Sequence, residues 1–196
     1  INLNNIFSVS ETLGKHIKNK TTPHLVVIKS TIIPGTTQNI VKIIEKHSNK
    51  KCGVDWNICV NPEFLREGSA IYDNLNPDKI VIGGYNKYTN TLLESFYNDV
   101  HSDNVPPIIK TSPSNAELIK YINNVFLASK ISFINNISNL CQKIPDTDIN
   151  IISEALGHDK RISSSFLNAG IGWGGSCFKK DINALLSFAK TLNLEL

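Results

Sequence analysis

Apolar positions along the chain follow two rhythms. Up to about residue 110, short unbroken apolar runs alternate with stretches of helical period, and beyond it only the helical period continues. Leu25-Val26-Val27-Ile28 is a run of the kind that a parallel strand buried on both faces requires. Asn57-Ile58-Cys59-Val60 predicts a second strand, and Lys79-Ile80-Val81-Ile82, closed by Gly83-Gly84, a third. Leu3, Ile6, Phe7, Val9, Leu13 and Ile17 predict an amphipathic helix over Ile1 to Asn19. Pro34-Gly35-Thr36-Thr37 turns into a helix from Asn39 to Lys46, and Tyr88 to Val100 reads as another.

Pro106-Pro107 and then Ser112-Pro113-Ser114 punctuate the chain and mark a domain boundary. A long helix follows, from Ser114 to Ile144. Its start carries a capping-box pattern, Ser114 with Glu117, and Pro145 ends it. Leu118, Ile119, Ile122, Val125, Phe126, Phe133, Ile137 and Leu140 form its apolar stripe. At roughly thirty residues it exceeds the usual helix length, which predicts a helix that crosses between domains or pairs with another subunit. Thr147 to Leu156 predicts a helix stopped by Gly157, and Ile182, Leu185, Leu186 and Ala189 predict one over Asp181 to Lys190.

Composition narrows the class without fixing it. A chain of 196 residues with 41% hydrophobic content can bury a core, and a net charge of +3 gives no basis for a nucleic-acid partner. No apolar run approaches membrane-spanning length and no signal pattern opens the chain, so a soluble, cytoplasmic protein is expected. Cys52, Cys59, Cys141 and Cys177 lack metal-type spacing and read as reduced thiols, with no metal expected. The chain begins at Ile1 and contains no methionine, which suggests a fragment.

Chemistry concentrates in Gly170-Ile171-Gly172-Trp173-Gly174-Gly175-Ser176-Cys177-Phe178-Lys179-Lys180-Asp181. The glycines permit positive φ and close approach to a ligand, a loop suited to an anion. Cys177 would lie beside the positive end of the following helix with Lys179 and Lys180 adjacent, and each of these favours a thiolate. It reads as a nucleophile or as a small residue packed beside a turn. Asn61-Pro62-Glu63-Phe64-Leu65-Arg66-Glu67-Gly68 lies just past a strand end. If that stretch turns helically, Glu63 and Glu67 share a face and one could act as a base; otherwise it is a solvated turn with Arg66 as ion-pair partner. Thr31 ends a strand, where a hydroxyl touches a ligand or merely forms a turn. Lys120 and Asn124 stand one turn apart on the long helix, a ligand-facing pair or a solvated face.

Taken together, these stretches resemble the nucleotide-sugar 6-dehydrogenases of the UDP-glucose/GDP-mannose dehydrogenase family. The resemblance rests on Lys29-Ser30-Thr31 with Pro34-Gly35-Thr36, on Asn61 to Gly68, and on Ala116-Glu117-Leu118-Ile119-Lys120 with Asn124. It continues through Gly157-His158-Asp159 with Arg161 and through Phe166-Leu167-Asn168-Ala169-Gly170 to Asp181. It implies an α/β Rossmann-like partial domain, the C-terminal part of an NAD-binding domain, over residues 1–110. An all-α central domain with one long helix, used for dimerisation, would occupy residues 111–196.

The implied reaction oxidises C6 of a nucleotide sugar to a carboxylate with two NAD. By resemblance, Cys177 traps the aldehyde as a thiohemiacetal that becomes a thioester. Lys120 and Asn124 hold the C6 oxygen, Asp181 assists the lysine and an ordered water in proton removal, Glu63 acts as base toward the hydrolytic water, and Thr31 orients water in the same site. Glu63, Phe64, Leu65, Arg66 and Glu67 would line the sugar site with Lys120 and Asn124. Asn168, Ala169, Gly170, Ile171, Gly172, Trp173 and Gly174 would hold the uridine diphosphate, and Arg161 would reach a nucleotide sugar in a partner subunit. Ser30, Thr31, Glu67, Cys177 and Lys180 would lie on the NAD side.

The Gly-Gly-Ser-Cys form looks more like the UDP-glucose branch than the GDP-mannose branch. UDP-glucose is therefore the expected substrate, with another nucleotide sugar such as the GDP-mannose type as the alternative. No dinucleotide-binding GxGxxG fingerprint and no third domain are found in this sequence. An isolated chain is accordingly expected to be inactive, and a non-catalytic dimerisation module is the other reading. A homodimer through the long helix, or a higher oligomer, is the expected assembly.

Overall fold

A computed structural model describes residues 2–102 and 104–196. The chain divides into two compact units, one ending at Lys120 and one beginning at Tyr121. Among the described residues no helix is long and apolar enough to cross a membrane.

The first unit is a four-stranded sheet between helices. Its elements in chain order are α1 (Asn4–Ile17), β1 (His24–Ile28), α2 (Thr36–Ser48), β2 (Trp56–Val60), α3 (Ala70–Leu75), β3 (Ile80–Gly84), α4 (Lys87–Val100) and β4 (Ile108–Thr111). The spatial order is β1-β2-β3-β4. β1 pairs with β2 in parallel, Val26 opposite Ile58, and β3 pairs with β4 in parallel, Ile82 opposite Lys110. β2 and β3 run antiparallel, Val60 opposite Gly83.

Strand residues alternate between two cores, as the two-residue pleat dictates. Val26, Ile28, Ile58, Val60 and Val81 pack with Ile40 and Ile44 of α2 and with Ile17 of α1. Cys59, Ile80 and Ile82 pack instead with Leu93 of α4. β2 and β3 are buried throughout, so their continuous apolar character needs no polar alternation. The close crossing of α1 and α2 explains Gly14, because a Cβ there would come within 2.7 Å of His47 Cβ.

Four local expectations are corrected. β3 runs through Gly83 and Gly84 instead of being closed by them, and a side chain at Gly83 would meet Ala116 Cβ at 2.5 Å and the Ser112 carbonyl at 2.8 Å. The long helix α5 spans Pro113–Cys141, and its start is capped by Ser112, whose Oγ accepts from the Asn115 amide. The Ser114–Glu117 capping box is therefore not formed; Glu117 is buried and points elsewhere. Asn61 to Arg66 is not helical, so Glu63 and Glu67 do not share a helix face. Gly157 does not stop a helix but lies inside α6 (Ile149–His158), which Asp148 caps by accepting from the Asn150 amide. That glycine serves a close approach, since a Cβ would meet Ser164 Cβ at 3.0 Å.

The second unit comprises α5 from Tyr121 onward, α6 and α7 (Ser176–Thr191). Tyr121 and Val125 of α5 pack with Ala184 and Leu185 of α7. The end of α5 is finished by Thr147, whose hydroxyl donates to the Cys141 and Ile144 carbonyls and satisfies groups a helix end leaves open.

Candidate active site

At the carboxyl ends of β1 and β2 the first unit assembles a polar cluster. Asn61 follows β2 directly: its amide donates to the Ile28 carbonyl and its Nδ2 to the Val81 carbonyl, at 2.9 and 2.8 Å, tying three strands together. Its Oδ1 accepts from Lys29 Nζ at 2.9 Å and from the Tyr97 hydroxyl. Desolvation lowers the Lys29 pKa, against an opposing pull from Glu63. Sequence reasoning named Asn61 only as part of a motif and gave Tyr97 no role, because nothing in an apolar helix period marks the hydroxyl that turns back to a strand end.

Two residues on, the chain leaves the sheet as an irregular segment, and there Glu63 meets Lys120. Lys120 Nζ donates to Glu63 Oε1 at 2.9 Å and to the Glu63 carbonyl at 2.6 Å. The lysine side chain is nearly buried, 7% exposed, and so is not a solvated face residue. Burial alone would raise the Glu63 pKa, but the Leu65 amide, at 2.7 Å from Oε2, and the Lys120 ammonium outweigh it and hold the carboxyl below its usual value. Phe64 lies beneath two cations, 4.5 Å from Lys79 Nζ and 5.4 Å from Lys120 Nζ.

Arg66 is engaged by Asp73 of α3, its Nε donating at 3.0 Å and its amide at 2.8 Å to Oδ2. That pairing holds the Asp73 carboxyl well below the usual range and ties Arg66 to α3. Leu65 and Glu67 are exposed. Ser30 is exposed and Thr31 half-buried immediately past β1.

In the second unit, Asn124 Nδ2 donates to Asp181 Oδ2 at 2.7 Å, both side chains being buried. Asp181 Oδ1 is buried and accepts no hydrogen bond among the described residues; Lys180 Nζ lies 3.5 Å from it. A fully buried carboxylate oxygen left so is a place for a proton donor such as a hydroxyl or water. Cys177 is exposed and falls within the first turn of α7, which begins one residue before it, after Gly175 at φ 82°.

The glycine loop faces α5 across a groove of about 830 Å³. Ala169, Gly170, Ile171, Gly172 and Trp173 line it opposite Ser132, Asn135 and Asn139. The Gly170 amide donates to Asn135 Oδ1 at 2.8 Å, and Trp173 Nε1 donates to Ser132 Oγ at 3.1 Å. Gly172 has φ 112°, and a Cβ at Gly170, Gly172 or Gly174 would meet nothing within 4 Å. Asn168 and Gly174 are exposed and lie outside that lining. Arg161 is paired with Asp159, Nε to Oδ1 at 3.0 Å, and stays largely exposed. Among the described residues no group of His, Cys, Asp and Glu is placed to hold a metal.

A sheet unit with strand-end hydroxyls and a helical unit with a glycine loop and a cysteine define a dinucleotide-domain and central-domain pair. Residues 1–101 match the NAD binding domain of the UDP-glucose/GDP-mannose dehydrogenase family, and residues 114–196 match its central domain. The chain belongs to that family. It is 45% identical to the UDP-glucose 6-dehydrogenase AglM of Haloferax volcanii, over all of this chain and 46% of that protein. It is 46% identical to the UDP-glucose 6-dehydrogenase YwqF of Bacillus subtilis, over 96% of this chain and 40% of that protein. Among solved structures it resembles a UDP-glucose dehydrogenase from Pyrobaculum islandicum, with a TM-score of 0.86 and 41% identity over 98% of this chain and 43% of that one. A GDP-mannose dehydrogenase from Pseudomonas aeruginosa gives 0.74 and 36%, over 99% of this chain and 44% of that one. The chain spans less than half the length of these relatives.

Proposed function

We propose that the protein to which this chain belongs oxidises C6 of UDP-glucose to the carboxylate of UDP-glucuronate, in two NAD-dependent steps. The supporting observation is that the residues expected to handle the C6 oxygen occur as paired contacts, Lys120 with Glu63 and Asn124 with Asp181. Relatives named UDP-glucose 6-dehydrogenase favour that sugar over GDP-mannose.

Ser30 and Thr31, just past the carboxyl end of β1 where α/β sheets bind ligands, would hold one end of a nicotinamide cofactor, and the family motifs add Glu67 and Lys180 to that role. When bound, NAD supplies the hydride acceptor for both oxidations. Lys120 and Asn124 bind the C6 oxygen and stabilise its developing charge. The open Oδ1 of Asp181 takes the alcohol proton, directly or through a water that Thr31 orients. Cys177 sulfur then adds to the aldehyde carbon, giving a thiohemiacetal whose oxidation leaves a thioester. Glu63, ionised near neutrality, removes a proton from the water that attacks the thioester and returns the thiol. Residues 168–174 hold the uridine diphosphate, and Arg161, once released from Asp159, reaches a nucleotide sugar in a partner subunit. Reduced thiols suit a cytoplasmic setting.

Stoichiometry tests this reading on the full-length protein. Wild type should form about two NADH per UDP-glucose, whereas Cys177→Ser should stop at about one, because a serine without an adjacent base is a poor nucleophile. Glu63→Gln should complete both oxidations and accumulate the thioester, visible by mass spectrometry. Near wild-type rate and yield from the serine variant would remove Cys177 from the mechanism.

A further inference from the structure

Glu117 is a buried carboxylate without a part in the mechanism above. It lies on the second turn of α5, 2% exposed, one turn before Lys120. Its Oε2 accepts from the Gly35 amide at 2.7 Å, and its Oε1 from the Thr37 amide at 2.9 Å and from the Thr37 hydroxyl. Gly35 caps α2 and Thr37 is in its first turn, so the carboxylate satisfies amides that the start of a helix leaves open and meets the positive end of its dipole. The segment it grips is the β1–α2 loop that carries Ser30 and Thr31.

We propose that Glu117 is a positioning residue that clamps the loop bearing Thr31 to the turn of α5 bearing Lys120; the reading rests on the function proposed above. The same turn of α5 also packs closely against Gly83, where a Cβ would come within 2.5 Å of Ala116 Cβ. Gly83 sets how closely α5 approaches the sheet, and Glu117 sets where it lies relative to the loop. Lys120 can then meet Glu63 and a substrate oxygen at a fixed place, and small displacements of such groups are costly to rate.

Glutamine is the informative substitution. One amide oxygen can still accept from Thr37, but the NH2 would face the Gly35 N–H, donor against donor. Aspartate keeps both acceptors and the charge with a shorter reach. In the full-length protein, acetic anhydride labelling of Lys120, scored by mass spectrometry against exposed Lys42, should rise about fivefold in Glu117→Gln and less in Glu117→Asp. Turnover per folded enzyme should fall about tenfold in Glu117→Gln while the UDP-glucose KM stays within about twofold, with partial recovery in Glu117→Asp. If Glu117→Gln fails to fold, Thr37→Val removes one donor and should move both readouts the same way by less. Unchanged Lys120 labelling overturns the proposal, as does unchanged kcat in an enzyme whose only loss is melting temperature. A wild-type protein inactive on UDP-glucose would sink the functional reading instead, and labelling would still decide the clamp.

Discussion

The two buried thiols of the sheet unit, Cys52 and Cys59, lie where burial disfavours ionisation. Cys59 is fully buried on β2, and burial pushes its pKa up to about 12 against the weaker pull of the Gly83 amide and Lys29. Burial, then Glu45, does the same to Cys52, also to about 12. An unfolded thiol ionises near 9.0, so above that pH the unfolded chain loses protons that the folded chain keeps. Stability contributed by these groups is thus present below about pH 9 and declines toward about pH 12. Lys29 acts in the opposite sense, since its lowered pKa means that stability rises as the unfolded chain sheds its proton at higher pH. Two thiols against one amine predict a net decline: the urea midpoint should fall from pH 8.5 to 10.5, and Cys59→Ala should flatten the fall while costing about 1–2 kcal/mol at neutral pH. The same pH slope in wild type and in Cys59→Ala would show that Cys59 does not keep its proton in the folded chain. At this scale the sequence revealed residue types but not partners. Cys177, Lys120 and Asp181 stand out in the sequence because motif and chemistry coincide there, whereas Glu117 reads as a local cap because nothing in the sequence signals that its donors lie eighty residues back.

Element by element, helices and buried strands were legible wherever periodicity ran long, and the misses share a cause. β4 has only Ile108–Thr111 to announce it, half of it exposed, and α3 is a six-residue helix held by the Arg66–Asp73 pair more than by any apolar face. Glycine was read as punctuation, yet Gly83 and Gly157 are sites of close packing inside elements. Gly83→Ala should therefore destabilise the sheet unit by about 1–3 kcal/mol, because the added methyl meets Ala116 and the Ser112 carbonyl, backbone that cannot move cheaply. Gly170→Ala, with open space around its Cβ, should change stability by less than about 0.5 kcal/mol. Denaturant titration of the pair provides the comparison. Equal effects would mean that the α5 crossing is not tight at Gly83.

For the whole molecule, the sequence indicated the alternating sheet unit and the helical unit, but it could not say which face of α5 would be left uncovered. Within the second unit Tyr121, Val125 and Ala128 turn inward, and Tyr121 and Val125 meet α7. Ile122, Phe126, Phe133 and Leu140 remain on the surface, with Phe126 64% and Phe133 55% exposed. Their spacing of four, seven and seven residues is that of a helix seam, and a seam on one helix can be covered by the same seam of a second copy across a twofold axis. We therefore expect a homodimer through α5. Light scattering at micromolar concentration should give twice the chain mass. Phe126→Glu with Phe133→Glu should give the single mass at unchanged helical circular dichroism, because neither ring supports the core of its own unit and each buried glutamate would need a partner. A wild-type monomer under those conditions would leave the stripe without the occupant argued for it. A double variant that still dimerises would put the interface on another face.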